Sequence, residues 1–127
     1  MAYEGAQIKL GNLVAAADLS AKQFYFVKLA SATTVNVCSG VTDKPIGVLQ
    51  NTPKSGQSAE IVLFGISKVS SDGTTAAGDL LGTSADGQAA VYTSSDTTKF
   101  VCGQAIEAGA AGNVVTAFIN ITNSRFV

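Results

Sequence analysis

Short runs of β-branched and aromatic residues alternate along this chain with clusters of Gly, Ser, Asp and Pro, a rhythm that predicts many short strands and an all-β fold. Strands are expected at Phe24–Leu29, Val35–Cys38, Ile46–Gln50, Ala59–Phe64, Ile66–Val69, Asp79–Gly82, Ala89–Tyr92, Val101–Ile106 and Val114–Ile121. The connections carry turn chemistry. Pro53 and Gly56 supply a fixed φ and then a permissive one, and Ser71-Asp72-Gly73 and Ala85-Asp86-Gly87 carry the Asp-Gly signal of tight reversals. Ile61-Val62-Leu63-Phe64 is apolar at every position, so both faces of that strand should be covered. Phe24–Leu29 instead alternates, with Tyr25, Val27 and Leu29 on one face and Phe24, Phe26 and Lys28 on the other. Phe24 and Phe26 are therefore candidates for a protein interface. Only Leu13–Ala17 has helical propensity, and so short a segment does not hold a helix without tertiary support.

The pattern occurs twice. A constant shift of 56 positions carries Ala21 onto Ala77, Val35 onto Val91, Ser39 onto Ser95, Thr42 onto Thr98, Gly47 onto Gly103 and Gly56 onto Gly112. A two-residue deletion after Gly112 then brings Ile61–Phe64 onto Val115–Phe118. A unit of four short strands cannot bury its apolar face alone, so two units, roughly 20–64 and 76–118, are expected to pair around a shared core as a compact, pseudo-symmetric barrel or sandwich. Residues 18–127 make up this β-domain. Residues 1–17 fall outside the repeat and offer little to pack beyond Tyr3, Ile8, Leu10, Leu13 and Val14, so they read as an extended N-terminal arm.

Composition narrows the function. The length of 127 residues fits one domain that needs neither metal nor disulfide for its core. Charged residues make up 13% of the chain, about half the usual share. A net charge of −1 provides no basic field for nucleic acid or acidic lipid. There is no His, which removes the commonest general base and metal ligand, and no Trp. Cys38 and Cys102 stand far apart without C-x-x-C spacing and read as free, buried thiols. Met1–Leu10 lacks the basic start and apolar core of a signal peptide, and no apolar run approaches membrane-spanning length, so synthesis in a cytoplasm is expected.

Chemical motifs fail on mechanism. Lys54, Asp72, Asp86 and Asp96 fall in expected turns, and nothing in the sequence brings Asp79 and Glu107 together as a glycosidase pair. Pro53-Lys54-Ser55-Gly56 lacks the glycine before lysine and the following helix of a phosphate loop, and no calcium-loop spacing occurs. Asn120-Ile121-Thr122 fits a glycosylation acceptor but lies inside an expected strand. No catalytic residue, metal, cofactor or small-molecule substrate is expected, and the chain reads as non-enzymatic.

In their order, Asp18–Leu29 (DLSAKQFYFVKL), Pro45–Asn51 (PIGVLQN), Gly65–Val69 (GISKV), Ala76–Leu81 (AAGDLL), Ala85–Gly87 and Gly103–Ala105 resemble the capsid cement, or head decoration, proteins of tailed phages. The resemblance covers about residues 18–121. It implies a small β-rich protein on the outer surface of an icosahedral head, made in the host bacterial cytoplasm, that binds the major capsid protein. It further implies a homotrimer that bridges capsomers and reinforces the shell. Since such proteins often reach onto the capsid protein with an N-terminal extension, Tyr3, Ile8, Leu10, Leu13 and Val14 become the candidate capsid-docking arm. An arm of this kind can add a strand to a partner's sheet edge, and a trimer multiplies the arms engaged. The alternative is another virion surface module, such as a head-fibre base or a carbohydrate-binding β-domain. A glycan platform would have to come from Tyr3, Tyr25 and Tyr92.

Overall fold

The computed structural model describes residues 2–124, so Met1 of the expected arm and residues 125–127 of the expected β-domain lie outside it. The described residues form nine strands and no helix: β1 (Gln7–Ala15), β2 (Phe26–Leu29), β3 (Thr34–Val37), β4 (Gly47–Leu49), β5 (Ser58–Ser70), β6 (Leu80–Thr83), β7 (Ala89–Val91), β8 (Val101–Ala105) and β9 (Val114–Ser124). The chain is all-β. The two strands expected at 59–64 and 66–69 are one long strand, β5.

Strand order is β1-β3-β2-β4-β5-β9-β8-β6-β7, and β1 also pairs with β5. That extra pairing closes β1-β3-β2-β4-β5 into a five-stranded barrel, with β1 antiparallel to β5 and parallel to β3. The C-terminal half of β5 then starts a second ring, β5-β9-β8-β6-β7, which a parallel bridge between Ser71 and Ala89 closes. Closure removes the unpaired edges an open sheet would expose. β5 thus serves as a wall of both barrels.

The registers of the two barrels are equivalent. Val27↔Val37 and Leu29↔Val35 in the first recur as Leu81↔Val91 and Thr83↔Ala89 in the second, an offset of 54. Val48↔Val62 and Leu49↔Ile61 recur as Gln104↔Phe118 and Ala105↔Ala117, an offset of 56. Hydrogen bonds outside the strands repeat as well. Phe24 N–H to Leu49 O (2.7 Å) matches Gly78 N–H to Ala105 O (2.8 Å), and Leu19 N–H to Pro53 O matches Thr75 N–H to Gly109 O, both 2.9 Å. The single shift of 56 read from the sequence is therefore corrected in the second and third strands, where the offset is 54. The two-residue difference is made up in the β7–β8 connection, and no deletion follows Gly112.

The equivalence also reaches back into the N-terminal segment. Leu13↔Ala59 and Val14↔Ser58 match Val69↔Val115 and Ser70↔Val114, so β1 is to the first barrel what the end of β5 is to the second. Residues 7–15 are extended but do not stand apart from the β-domain, and Leu13 and Ala15 are buried in its core. Leu13–Ala15 is strand, not helix. Gly11 and Asn12 lie within an irregularity between the Leu10 and Leu13 pairings that interrupts the alternation.

Each barrel fills its own interior. Leu13, Ala15, Leu19, Val27, Val35, Leu49, Ala59 and Ile61 cluster in the first. Their equivalents Val69, Ser71, Thr75, Leu81, Ala89, Ala105, Val115 and Ala117 are all buried. The second set is smaller and more polar. Phe26, Cys38, Val48 and Val62 join the cluster formed by the interior of the second barrel. Phe26, Val48 and Val62 neighbour the inward-facing Val27, Leu49 and Ile61, so they lie on the outer face of barrel one. That face packs onto barrel two, and one continuous apolar body results.

Two backbone positions mark the joins. Gly65, where β5 pairs with both β1 and β9, has φ +123°, and a Cβ there would run into the Ala6 carbonyl. Phe24, at φ +68°, holds the place that Gly78 (φ +94°) holds in the second unit. Its ring packs on the core cluster and under the Lys68 ammonium, 5.7 Å from the centroid, which offsets part of a backbone strain of about 1–3 kcal/mol.

Two stability outcomes follow from this arrangement. Gly65→Ala is expected to lose about 2 kcal/mol or more, read by urea unfolding, because strain and collision act together. Thr75 Oγ1 is buried without a hydrogen-bond partner where the first unit has Leu19. Thr75→Val, which removes the hydroxyl at nearly constant volume, is expected to stabilise the fold by about 1 kcal/mol in the same assay.

Candidate functional surface

The two carboxylates considered as a catalytic pair are both hydrogen-bonded within the fold. Asp79 Oδ2 accepts from the Ala76 N–H (2.9 Å), and Glu107 Oε1 accepts from both the N–H and the hydroxyl of Thr116 (2.9 Å each). The Thr116 N–H in particular holds the Glu107 carboxyl below its ordinary range. Among the described residues no group of three or more His, Cys, Asp or Glu is placed to hold a metal. Cys38 and Cys102 are free and buried. Burial pushes both thiols up to about 12, with Asp43 adding to the effect at Cys38 and Cys38 adding to it at Cys102. They are inert as nucleophiles at neutral pH.

A cleft of about 490 Å³ lies at one end of barrel one between Lys28, Leu29, Thr42, Asp43, Lys44 and Ile46. Lys28 Nζ and Asp43 Oδ2 pair across it at 2.8 Å. Burial would raise the Asp43 carboxyl, but the Lys28 ammonium and the N–H groups of Ser39 and Gly40 outweigh it and hold the group below its ordinary range. A second cleft, about 170 Å³, lies on the outer face of barrel two and includes Leu80, Gln104 and Phe118.

The residues singled out for capsid docking separate into two groups. Tyr3 (51% exposed) and Ile8 (60%) are on the surface, Leu10 and Val14 are half-buried, and Leu13 is in the core. The Tyr3 N–H donates to Thr116 Oγ1 (2.8 Å), and Ile8 pairs with Phe64, so even the exposed pair is tied to the domain. Of the two interface candidates, Phe24 is half-buried. Phe26 is fully buried, which corrects its assignment to an intermolecular surface, because barrel two covers the face that carries it. The tyrosines do not make a sugar platform together: Tyr92 is buried with its hydroxyl donating to Asp96 O, and Lys22 lies over the Tyr25 ring.

Sequence reasoning missed Phe64, Leu80 and Ile106, all exposed in the fold. Phe64 meets Phe118 edge to face, with centroids 5.2 Å apart. A run apolar at every position signalled two covered faces, and this holds for Ile61 and Val62 but not for Phe64, which stays 44% exposed although it pairs with Asn120 of β9.

Comparison with known proteins returns no matching family model and no matching curated protein. A solved structure does match: the head fibre gp8.5 N base of bacteriophage phi29, at a TM-score of 0.68 and 17% identity, over 94% of this chain and 99% of that one. The likeness shows a shared fold.

Because β1 is a barrel wall, deleting residues 1–17 is expected to unfold barrel one rather than release a passive arm. The truncated chain should lose cooperative thermal unfolding or fall by several kcal/mol, in line with about 2–5 kcal/mol for each large buried side chain removed. An unchanged melting transition would contradict this.

Proposed function

We propose that this chain is a non-enzymatic structural protein of a tailed-phage head, which binds the outer surface of the capsid and braces it by bridging capsomers as a homotrimer. The observation that carries the reading is the fold likeness to a phage head-fibre base along nearly the whole length of both chains. It joins the ordered sequence motifs that resemble head decoration proteins. The physical character of the surface supports the same reading. With few long charged side chains, little rotamer entropy is lost on docking to a broad, weakly charged lattice. The exposed Tyr3, Ile8 and Phe64 supply apolar anchors for the major capsid protein.

A head-fibre base is the second reading, favoured by the identity of the matching structure. The two readings differ in consequence. A brace raises the resistance of the shell to rupture, whereas a base attaches an appendage and need not.

Capsids of the cognate phage lacking this protein, mixed with the purified chain, separate these cases. Saturable co-sedimentation with a higher temperature of DNA release is expected for a brace, and saturable binding with unchanged release temperature supports the base instead. Failure to co-sediment at micromolar concentration would overturn both. Tyr3→Ala together with Ile8→Ala is expected to weaken binding about tenfold or more while leaving the melting temperature within a few degrees.

A further inference from the structure

The junction between the two barrels is heterologous. Barrel one contributes the outer face of its sheet, Phe26, Val48 and Val62, with Cys38 beside them. Barrel two contributes one of its ends, with Thr83, Gly87, Cys102 and Ile119. The Phe26 N–H donates to Gly87 O (2.8 Å), Cys38 is within hydrogen-bonding reach of Thr83, and Cys102 and Ile119 share the Phe26 cluster. An outer face therefore caps a barrel end.

Because the two surfaces differ, each barrel carries a second, unused copy of the other's surface. The outer face of barrel two holds Leu80, Gln104 and Phe118 where barrel one holds Phe26, Val48 and Val62. All three members of the first set are fully buried, while Leu80 is 42% exposed and lines the smaller cleft with Gln104 and Phe118. Ile106, 36% exposed, stands where Gln50 reaches Ser67 of β5 in the existing junction. The open end of barrel one holds Leu29, Ile46 and Leu63 where barrel two holds Thr83, Cys102 and Ile119. Leu29 is 53% exposed and, with Ile46, lines the larger cleft. These two clefts thus fall on the two unmatched halves of a contact the chain already makes once within itself.

The geometry points to head-to-tail association of copies of this chain, in which the outer face of barrel two (Leu80, Gln104, Phe118, Ile106) caps the open end of barrel one (Leu29, Ile46, Leu63) of the next molecule. This identifies the surface for the self-association in the functional reading above, and rests on that reading only for the number of copies. A heterologous contact of this kind closes into a ring or continues as a filament according to the rotation it imposes. The intermolecular version is looser than the internal one. Gly87, where a Cβ would collide with Val37, is replaced in the first unit by Thr33, and Gln104 and Lys28 bring polar groups to the seam. It is therefore a contact that forms and dissociates, unlike the internal junction.

The hydrogen-bonded pair Phe26 and Gly87 maps to Leu80 of one copy and Thr33 of the next, both exposed. Thr33→Cys and Leu80→Cys chains, prepared separately and then mixed, are treated with a short bis-maleimide; the native thiols are buried. The mixture is expected to give a Thr33→Cys–Leu80→Cys cross-linked dimer at least about tenfold above either variant alone. In sedimentation, Leu80→Glu and Leu29→Glu are each expected to shift the association midpoint about tenfold or more upward in concentration. Cross-linking of Leu80→Cys to itself as efficiently as to Thr33→Cys would overturn the inference, as would association unaffected by both glutamates. So would a wild-type chain monomeric at every concentration, and if that monomer still bound capsids the capsid reading would survive.

Discussion

The backbone hydrogen bonding of β5 is the constraint on which the fold depends. One strand of 13 residues, Ser58–Ser70, pairs with β1 and β4 along its first half and with β9 along its second. Its amides and carbonyls thereby close one barrel and open the next. Neither ring can be completed without it, since β1 seals the first ring against β5 and the second is sealed through Ser71, just past its end. Gly65 makes the passage between rings sterically permissible.

Packing is unequal between the barrels, and that inequality explains why they form one body. Where the first interior has Leu19, Val35, Leu49 and Ile61, the second has Thr75, Ala89, Ala105 and Ala117. A ring lined by so many small side chains buries less apolar surface per residue. The deficit is made up at its end by Phe26, Val48 and Val62 from outside the ring. The duplication is thus not two independent domains on a string, and the same face that completes the second barrel becomes, one unit further on, the exposed surface around Leu80 and Phe118.

Much of this was legible in the sequence, for identifiable reasons. Period-two alternation and turn chemistry located β2 to β9 to within a few residues, and the glycine pair Gly47 and Gly103 revealed the repeat, because in both units a Cβ there would strike the backbone of the neighbouring strand. β1 was not legible as a strand of the domain: Gly11-Asn12 breaks its alternation and Leu13–Ala17 has helical composition, while the bulge that absorbs the break is a tertiary feature. Phe26 was misplaced because alternation states which residues share a face and not what covers it. Leu80, Ile106 and Phe64 were passed over for the same reason, since alternation does not say which outward-facing side chains stay uncovered.

The central claim is that the N-terminal segment is an integral wall of a barrel closed through β5, and amide hydrogen exchange under native conditions tests it most directly. Hydrogen-bonded amides such as Val14 and Ala15 are predicted to exchange through the same cooperative opening as those of β2 to β4, with β5 among the most protected strands. Exchange of residues 7–15 at free-chain rates, with the remainder of the domain protected, would contradict the account.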